Sequence, residues 1–258
     1  MKESFAISEV LGQEKAKNLL RRAAGGGRLA HAYLFRGMSG VGKKSLARAF
    51  GNYLNCLEPL PEQDACGHCP SCRKLRSGNH PDRLLIEPDG AAIKIAQIRE
   101  LKHALTFPPL EARLRIVLVC DVHTMRREAA NSLLKILEEP PPGNLLILTG
   151  DGASEILPTI TSRCQQIPLS PLPLAQVARE LEADGIEADS AATLAALGGG
   201  SLGQARQLAT LDLLELRRKV VTALLELRPG QAETAEAIFA LAESTAGLGE
   251  LLPQFLGV

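Results

Sequence analysis

The sequence contains no tryptophan, and its aromatic residues make up only 3% of 258 positions. That scarcity argues against nucleic-acid binding by stacking bases on aromatic platforms. Long apolar runs are missing as well, and nothing approaches the roughly 18 residues of a membrane span. The N-terminal stretch MKESFAISEV lacks the apolar core of a signal peptide. These absences lead us to expect a cytoplasmic protein without membrane contact, its six cysteines reduced unless a metal holds them. There is no tandem repeat, no low-complexity tract and no identifiable acid cluster of a polymerase.

Net charge is absent too, with 29 basic and 29 acidic residues. The balance is uneven along the chain. Met1 to Cys164 carries 23 basic and 17 acidic side chains, and Gln165 to Val258 carries 6 and 12. The first of these stretches suits the vicinity of a polyanion, and the second does not unless it binds a basic partner. Two solvated surfaces of different charge explain the split equally well.

Hydrophobic residues reach 45%, enough for a core that needs no covalent staples. Apolar runs and turn residues alternate through the first two-thirds. Strands are expected at AYLF, RLLIEP, RIVLVCD and NLLILTG, with helices at EKAKNLLRRAAGGG, from Lys43 to about Leu54, at IAQIRELKHAL and at RREAANSLLKILEEPPP. This βαβ rhythm predicts a parallel sheet covered by helices. The prolines of SPLPLAQ mark a boundary near Ser170 to Pro173, after which strand signals vanish. Short helices are expected at AQVARELEADG, SAATLAALGGG and SLGQARQLA. Three more are expected at LDLLELRRKVVTALLEL, QAETAEAIFALAEST and GLGELLPQFLGV.

Gly37-Met38-Ser39-Gly40-Val41-Gly42-Lys43 fits the G-x-x-x-x-G-K part of a P-loop, between a strand and a helix. The glycines let backbone N–H groups turn toward phosphate oxygens, and Lys43 would reach the outer phosphates of ATP. A plain Gly-rich turn is the simpler alternative. The following position departs from the pattern. Ser or Thr there would ligate Mg²⁺, whereas Lys44 is itself a cation. Ser45 does not replace it, because one residue along a helix rotates the side chain by about 100°. Asp121 ends the third expected strand, where an acid supports magnesium; a carboxylate capping the next helix is the alternative. Its successor Val122 cannot orient an attacking water.

Cys56, Cys66, Cys69 and Cys72 form C-x9-C-x2-C-x2-C, a spacing suited to four thiolates on one tetrahedral Zn²⁺. Four sulfurs complete the shell, so a structural metal is expected, with His68 and His80 as bystanders. Cys120 and Cys164 read as core positions.

Several segments together resemble one family. HAYLFRGMSGVGKKSLA, the four-cysteine module, NSLLKILEEPPP and LPTITSRCQQIPL are similar to the δ′ subunits of the bacterial DNA polymerase III clamp loader, within the AAA+ superfamily. The likeness extends over about Leu11 to Leu208, and the γ/τ ATPase subunits share much of the pattern.

The resemblance implies an α/β fold, a P-loop AAA+ parallel sheet at 1–170 with a zinc module at 56–72. A small helical lid is implied at 171–209, and the start of an all-helical oligomerising collar at 210–258. That collar segment is shorter than the family's, which implies a truncated form or a short variant. It implies that Arg163 of Ser162-Arg163-Cys164 reaches ATP in a neighbouring subunit; from the residues alone, Arg163 reads as a partner in a local ion pair. It places Thr149 near a polar sensor position. Gln204 fills the place of a lid arginine that contacts the γ-phosphate in active members, and Arg206, about 200° around a helix from it, faces away.

Lys44, Val122 and Gln204 each remove part of the hydrolytic machinery. The expectation is a clamp-loader subunit in which Gly37, Gly40, Gly42, Lys43, Lys44, Ser45, Asp121 and Thr149 form a retained phosphate site with little or no catalysis. ATP with Mg²⁺ is left open as a ligand. The implied partners are the γ/τ ATPase and δ subunits, with the sliding clamp and primed DNA met through the complex. Two alternatives stand beside it: an active ATPase of the γ/τ type, and a zinc-dependent DNA-binding regulator.

Overall fold

The computed structural model describes residues 4–152 and 156–210. The chain divides into two compact units, the first ending at Ser170 and the second beginning at Pro171. The first holds helices α1 (Glu14–Gly25), α2 (Lys43–Leu54), α3 (Pro70–Arg76), α4 (Ile95–Ala104), α5 (Arg127–Glu138) and α6 (Pro158–Thr161). Its strands are β1 (Ala32–Arg36), β2 (Arg83–Ile86), β3 (Arg115–Val119), β4 (Asn144–Gly150) and β5 (Gln165–Pro168).

The strands form one sheet in the order β2-β3-β4-β1-β5. All four pairings are parallel, with Tyr33 of β1 opposite Ile147 of β4 and Gln165 of β5. Every residue of β3 and β4 is buried. Strands covered on both faces have no reason to alternate polar with apolar residues, and RIVLV and NLLIL do not. The two-residue period still sorts their side chains. Leu34, Val117, Val119, Leu146 and Leu148 point into one apolar layer with Ile98 and Leu101 of α4 and Leu133 and Ile136 of α5. Tyr33, Phe35, Ile116, Leu118, Leu145 and Ile147 point into the other, with Leu20 of α1 and Leu46 and Phe50 of α2. Helices on both faces of a parallel sheet follow directly.

Helix α5 shows how local sequence sets such an element. Ala129, Ala130, Leu133, Ile136 and Leu137 recur at helical spacing and form its buried side. Pro140, Pro141 and Pro142 then end it, since proline has no N–H to continue the ladder.

One polar network lies within the first unit. Asp82 is fully buried and accepts N–H bonds from Leu110, Glu111 and Ala112 at 2.7, 2.8 and 2.8 Å. Burial alone would raise its carboxyl pKa; those three N–H groups and the Arg115 guanidinium outweigh burial and lower it. Arg115 donates to the carbonyls of Ala104, Phe107 and Pro108, each at 2.8 Å. His80 accepts the Asp82 N–H at Nδ1 and places Nε2 3.2 Å from Ser71 Oγ. Burial depresses the His80 pKa despite the facing carboxylates of Glu111 and Asp82.

The second unit contributes α7 (Leu174–Ala183), α8 (Ala188–Leu197) and α9 (Leu202–Thr210). They bury Val177, Leu181, Leu194, Ala195, Ala205 and Leu208. Arg206 forms two hydrogen bonds to Asp184, at 2.7 and 3.2 Å, and the Gln204 N–H donates to Ser201 Oγ at 3.2 Å. The three further helices expected after residue 210, and the collar segment with them, lie outside the described residues. Among the described residues no helix is long and apolar enough to cross a membrane.

Candidate functional site

The loop from Gly37 to Gly42 joins the end of β1 to the start of α2. Gly42 occupies the N-cap of α2 with φ 99°, a left-handed conformation that glycine adopts without a side-chain clash. At Gly37 a Cβ atom would stand 2.6 Å from the Leu169 carbonyl oxygen, so glycine is required by close approach. Lys43, the first residue of α2, is only 6% exposed. Its ammonium donates to the carbonyls of Gly37 and Met38 at 2.8 and 2.9 Å and pairs with Asp151 Oδ1 at 2.5 Å. Lys44 points elsewhere and pairs with Glu87, just past the end of β2. Ser45 follows within the first turn of α2.

Cys120 directly follows β3, and its N–H donates to the Ile86 carbonyl of β2 at 2.8 Å. Asp121 lies one residue beyond, with φ 56°, and opens a short 3-10 turn at Val122–Thr124. Its backbone carbonyl, not its carboxylate, accepts the Thr124 N–H and hydroxyl. Thr149, on β4, accepts the Asp121 N–H at Oγ1, 3.0 Å away. Val122 is buried in the apolar layer.

Asp121, His123 and Asp151 bring one ligand atom each within 4.8 Å of one another. Sequence reading singles out only Asp121 of these three. Asp151 and Glu87, the partners of the two loop lysines, are also absent from it. The separations of 108 and 43 residues carry no sequence signal. Beside the loop, a cavity of about 540 Å³ is lined by Arg36, Gly37, Met38, Gly152, Gln166 and Pro168.

Arg163 follows α6 and is 35% exposed. Its guanidinium donates to Glu138 Oε1 at 2.6 Å and to the Thr159 carbonyl at 3.1 Å. Glu138 is the last residue of α5, from the LEEPPP segment.

The four cysteines converge. Cys56 follows α2, Cys66 sits in the connecting loop, Cys69 caps α3 and Cys72 lies in its first turn. Their sulfur atoms all lie within 4.8 Å of one another, and all four thiols are free of disulfides. Backbone N–H groups of Cys66, Cys69 and Cys72 point at the sulfurs of Cys56, Cys66 and Cys69, at 3.3 to 3.4 Å. Burial opposes ionisation of Cys69, yet the N–H groups of Cys72 and Leu57 outweigh it and bring that thiol to about 6. Burial pushes the Cys72 and Cys56 thiols up. Four converging sulfurs with N–H support form a donor set that could hold a metal ion. Phe5 packs on the cluster and the Arg76 guanidinium stacks 4.6 Å above its ring. Cys120 and Cys164, raised by burial to about 11 and about 12, lie outside this cluster; Cys164 packs on the apolar layer of α4 and α5, and Cys120 has the charged groups of Lys44, Glu87, Asp121 and Arg48 around it.

The sequence profile of the family described as DNA polymerase III, delta subunit matches residues 12–173. The chain belongs to that DNA polymerase III subunit family. It is 39% identical over 160 residues to the delta′ subunit of Bacillus subtilis, covering 62% of this chain and 48% of that one. With the delta′ subunit of Pseudomonas aeruginosa it shares 37% over 203 residues, 77% of this chain and 61% of that one. With the tau subunit of Escherichia coli it shares 38% over 177 residues, 68% of this chain and 27% of that one. The family member described here thus spans about half the length of the first of these relatives. The Thermotoga maritima RuvB Holliday junction branch migration motor aligns at TM-score 0.51 and 16% identity, over 95% of this chain and 72% of that one. At that identity the likeness concerns the fold, an α/β sheet of the AAA+ kind.

Proposed function

We propose that this chain is a clamp-loader subunit of DNA polymerase III, of the δ′ type, which does not itself turn over ATP. Its family membership supports the clamp-loader setting. The observation that carries the non-hydrolysing part is Lys44. An ammonium turned toward Glu87 occupies the position after the loop lysine, and no hydroxyl is available there to ligate magnesium. Val122 is a core residue and cannot orient water. Gln204 carries no charge, and Arg206 is bound to Asp184. Gly37, Gly40, Gly42, Lys43, Ser45, Asp121 and Thr149 then serve as a retained phosphate scaffold.

Arg163 is the residue that acts on a neighbour. A guanidinium has a fixed charge and a planar donor fork, suited to phosphoryl oxygens as charge develops. In this chain it is held by Glu138, the local ion pair that its sequence setting also suggests. An exposed pair of this kind contributes roughly 0–1 kcal/mol, so a phosphate in an adjoining subunit competes with it readily. The partners are the γ/τ ATPase and the δ subunit in a ring that opens a sliding clamp and places it on primed DNA. The protein acts in the cytoplasm, where replication takes place.

Zinc is the metal that best fits four convergent thiolates. Bound to Cys56, Cys66, Cys69 and Cys72 it would leave no position for water, and its contribution would be structural.

The tau relative at 38% identity favours a second reading, an active ATPase of the γ/τ type. One experiment separates the two. Arg163→Ala is placed in the reconstituted complex and DNA-stimulated ATP turnover is measured, beside turnover by the isolated chain. The δ′ reading expects no turnover by the isolated chain and a loss of at least tenfold in the complex. Steady magnesium-dependent turnover by the chain alone selects the ATPase reading.

A further inference from the structure

We infer that Asp151 sets the affinity of the phosphate loop, acting as an internal counter-anion that a nucleoside triphosphate must displace from Lys43. The inference rests on reading that loop as a phosphate cradle, and it goes beyond that reading by naming what opposes the ligand.

A lysine ammonium has three N–H donors and no more. In this protein three acceptors engage them: the Gly37 carbonyl at 2.8 Å, the Met38 carbonyl at 2.9 Å and Asp151 Oδ1 at 2.5 Å. Any phosphate oxygen that approaches Lys43 Nζ has to take the place of one of them. The two carbonyls are neutral and belong to the loop itself. Asp151 is the charged partner, supplied from beyond β4, and a bond between two ions is roughly twice as strong as a neutral one. Lys43 is 6% exposed and the Asp151 side chain 25%, so water screens the pair only in part.

The surroundings hold Asp151 in place and oppose a second anion. The Asp151 N–H donates to His123 Nδ1 at 3.3 Å. The carboxylate of Asp121 lies within 4.8 Å of that of Asp151. A triphosphate bound at Lys43 would lie near both carboxylates, and like charges at such separations repel. The apparent affinity is the intrinsic affinity multiplied by the fraction of molecules in which the ammonium is free.

The test uses the full chain and ATP as the probe, titrated by calorimetry with and without Mg²⁺. Asp151→Asn, which removes the charge and keeps the shape, is expected to tighten ATP binding at least tenfold. Asp151→Ser, too short to reach the ammonium, is expected to do the same and covers the case in which the first variant folds poorly. Adding Lys43→Ala to either is expected to abolish the gain. Unchanged or weaker affinity in the folded variants overturns the inference, as does a gain that survives Lys43→Ala. Phosphate release, followed in the same samples, reports separately on the non-hydrolysing reading. Turnover by the unsubstituted chain would sink that reading and leave the Asp151 result to stand or fall on affinity.

Discussion

The cysteine module and the phosphate loop flank α2, one following its C-terminus and the other preceding its N-terminus. Both are short motifs rich in turns, and their reactive groups meet opposite fates. The loop lysine finds every partner it needs within the protein, two carbonyls and a carboxylate. The cysteines turn four sulfurs toward one another, with N–H groups behind them. Satisfied polar groups resist a ligand, whereas four converging sulfurs backed by N–H groups invite one. The motif alone therefore does not tell whether a site binds; what the rest of the fold brings to it does.

The strongest way to break this contrast is to remove a sulfur. Structural zinc sites contribute on the order of 10 kcal/mol of apparent binding free energy. Cys72→Ser should abolish a near-stoichiometric zinc content measured by elemental analysis and lower the melting temperature. Retention of full zinc content by that variant would mean the four sulfurs do not act as one site.

A smaller effect is expected from Asp82→Asn, which weakens the buried network behind the cysteine module. Leaving Arg115 without its carboxylate should cost about 3 kcal/mol in chemical denaturation. The sign of the pH dependence follows from the lowered carboxyl pKa. The charged form is favoured by folding, so its contribution is complete above the ordinary value of 3.8 and is lost as pH falls through the depressed value. The unsubstituted protein should lose stability in that acid range, and the Asn variant should lose less. Identical acid profiles would remove Asp82 from the account.

Lys44→Ala should have the smallest effect. Its pair with Glu87 is well exposed on both sides, and such pairs contribute roughly 0–1 kcal/mol. A measured loss above 2 kcal/mol would show that the second loop lysine has a larger structural part than the geometry gives it.

Strands β1, β3 and β4 were legible because burial on both faces leaves a continuous hydrophobic signature, and β2 was legible from its apolar run Leu84-Leu85-Ile86 although only Ile86 is buried. Strand β5 was not, since among Gln165, Gln166, Ile167 and Pro168 only Ile167 is buried. The seven-residue α3 hides within the cysteine spacing, where metal geometry dominates the pattern. In the candidate site, the loop and the cysteines were legible because neighbours in sequence make them. The partners Asp151, Glu87 and Glu138 were not, because they reach Lys43, Lys44 and Arg163 only once the sheet is assembled. A sequence displays its motifs and conceals their counter-ions.

Asp82 and Arg115 have a consequence beyond stability. Between them they collect six backbone groups from residues 104–112, a segment that for most of its length lacks regular structure. Phe107 and Leu110, 57% and 75% exposed, project from that segment. Two greasy side chains are thus mounted on a bracket locked from inside by a single acid and a single base, so the backbone that presents them to water is held in place before anything touches it.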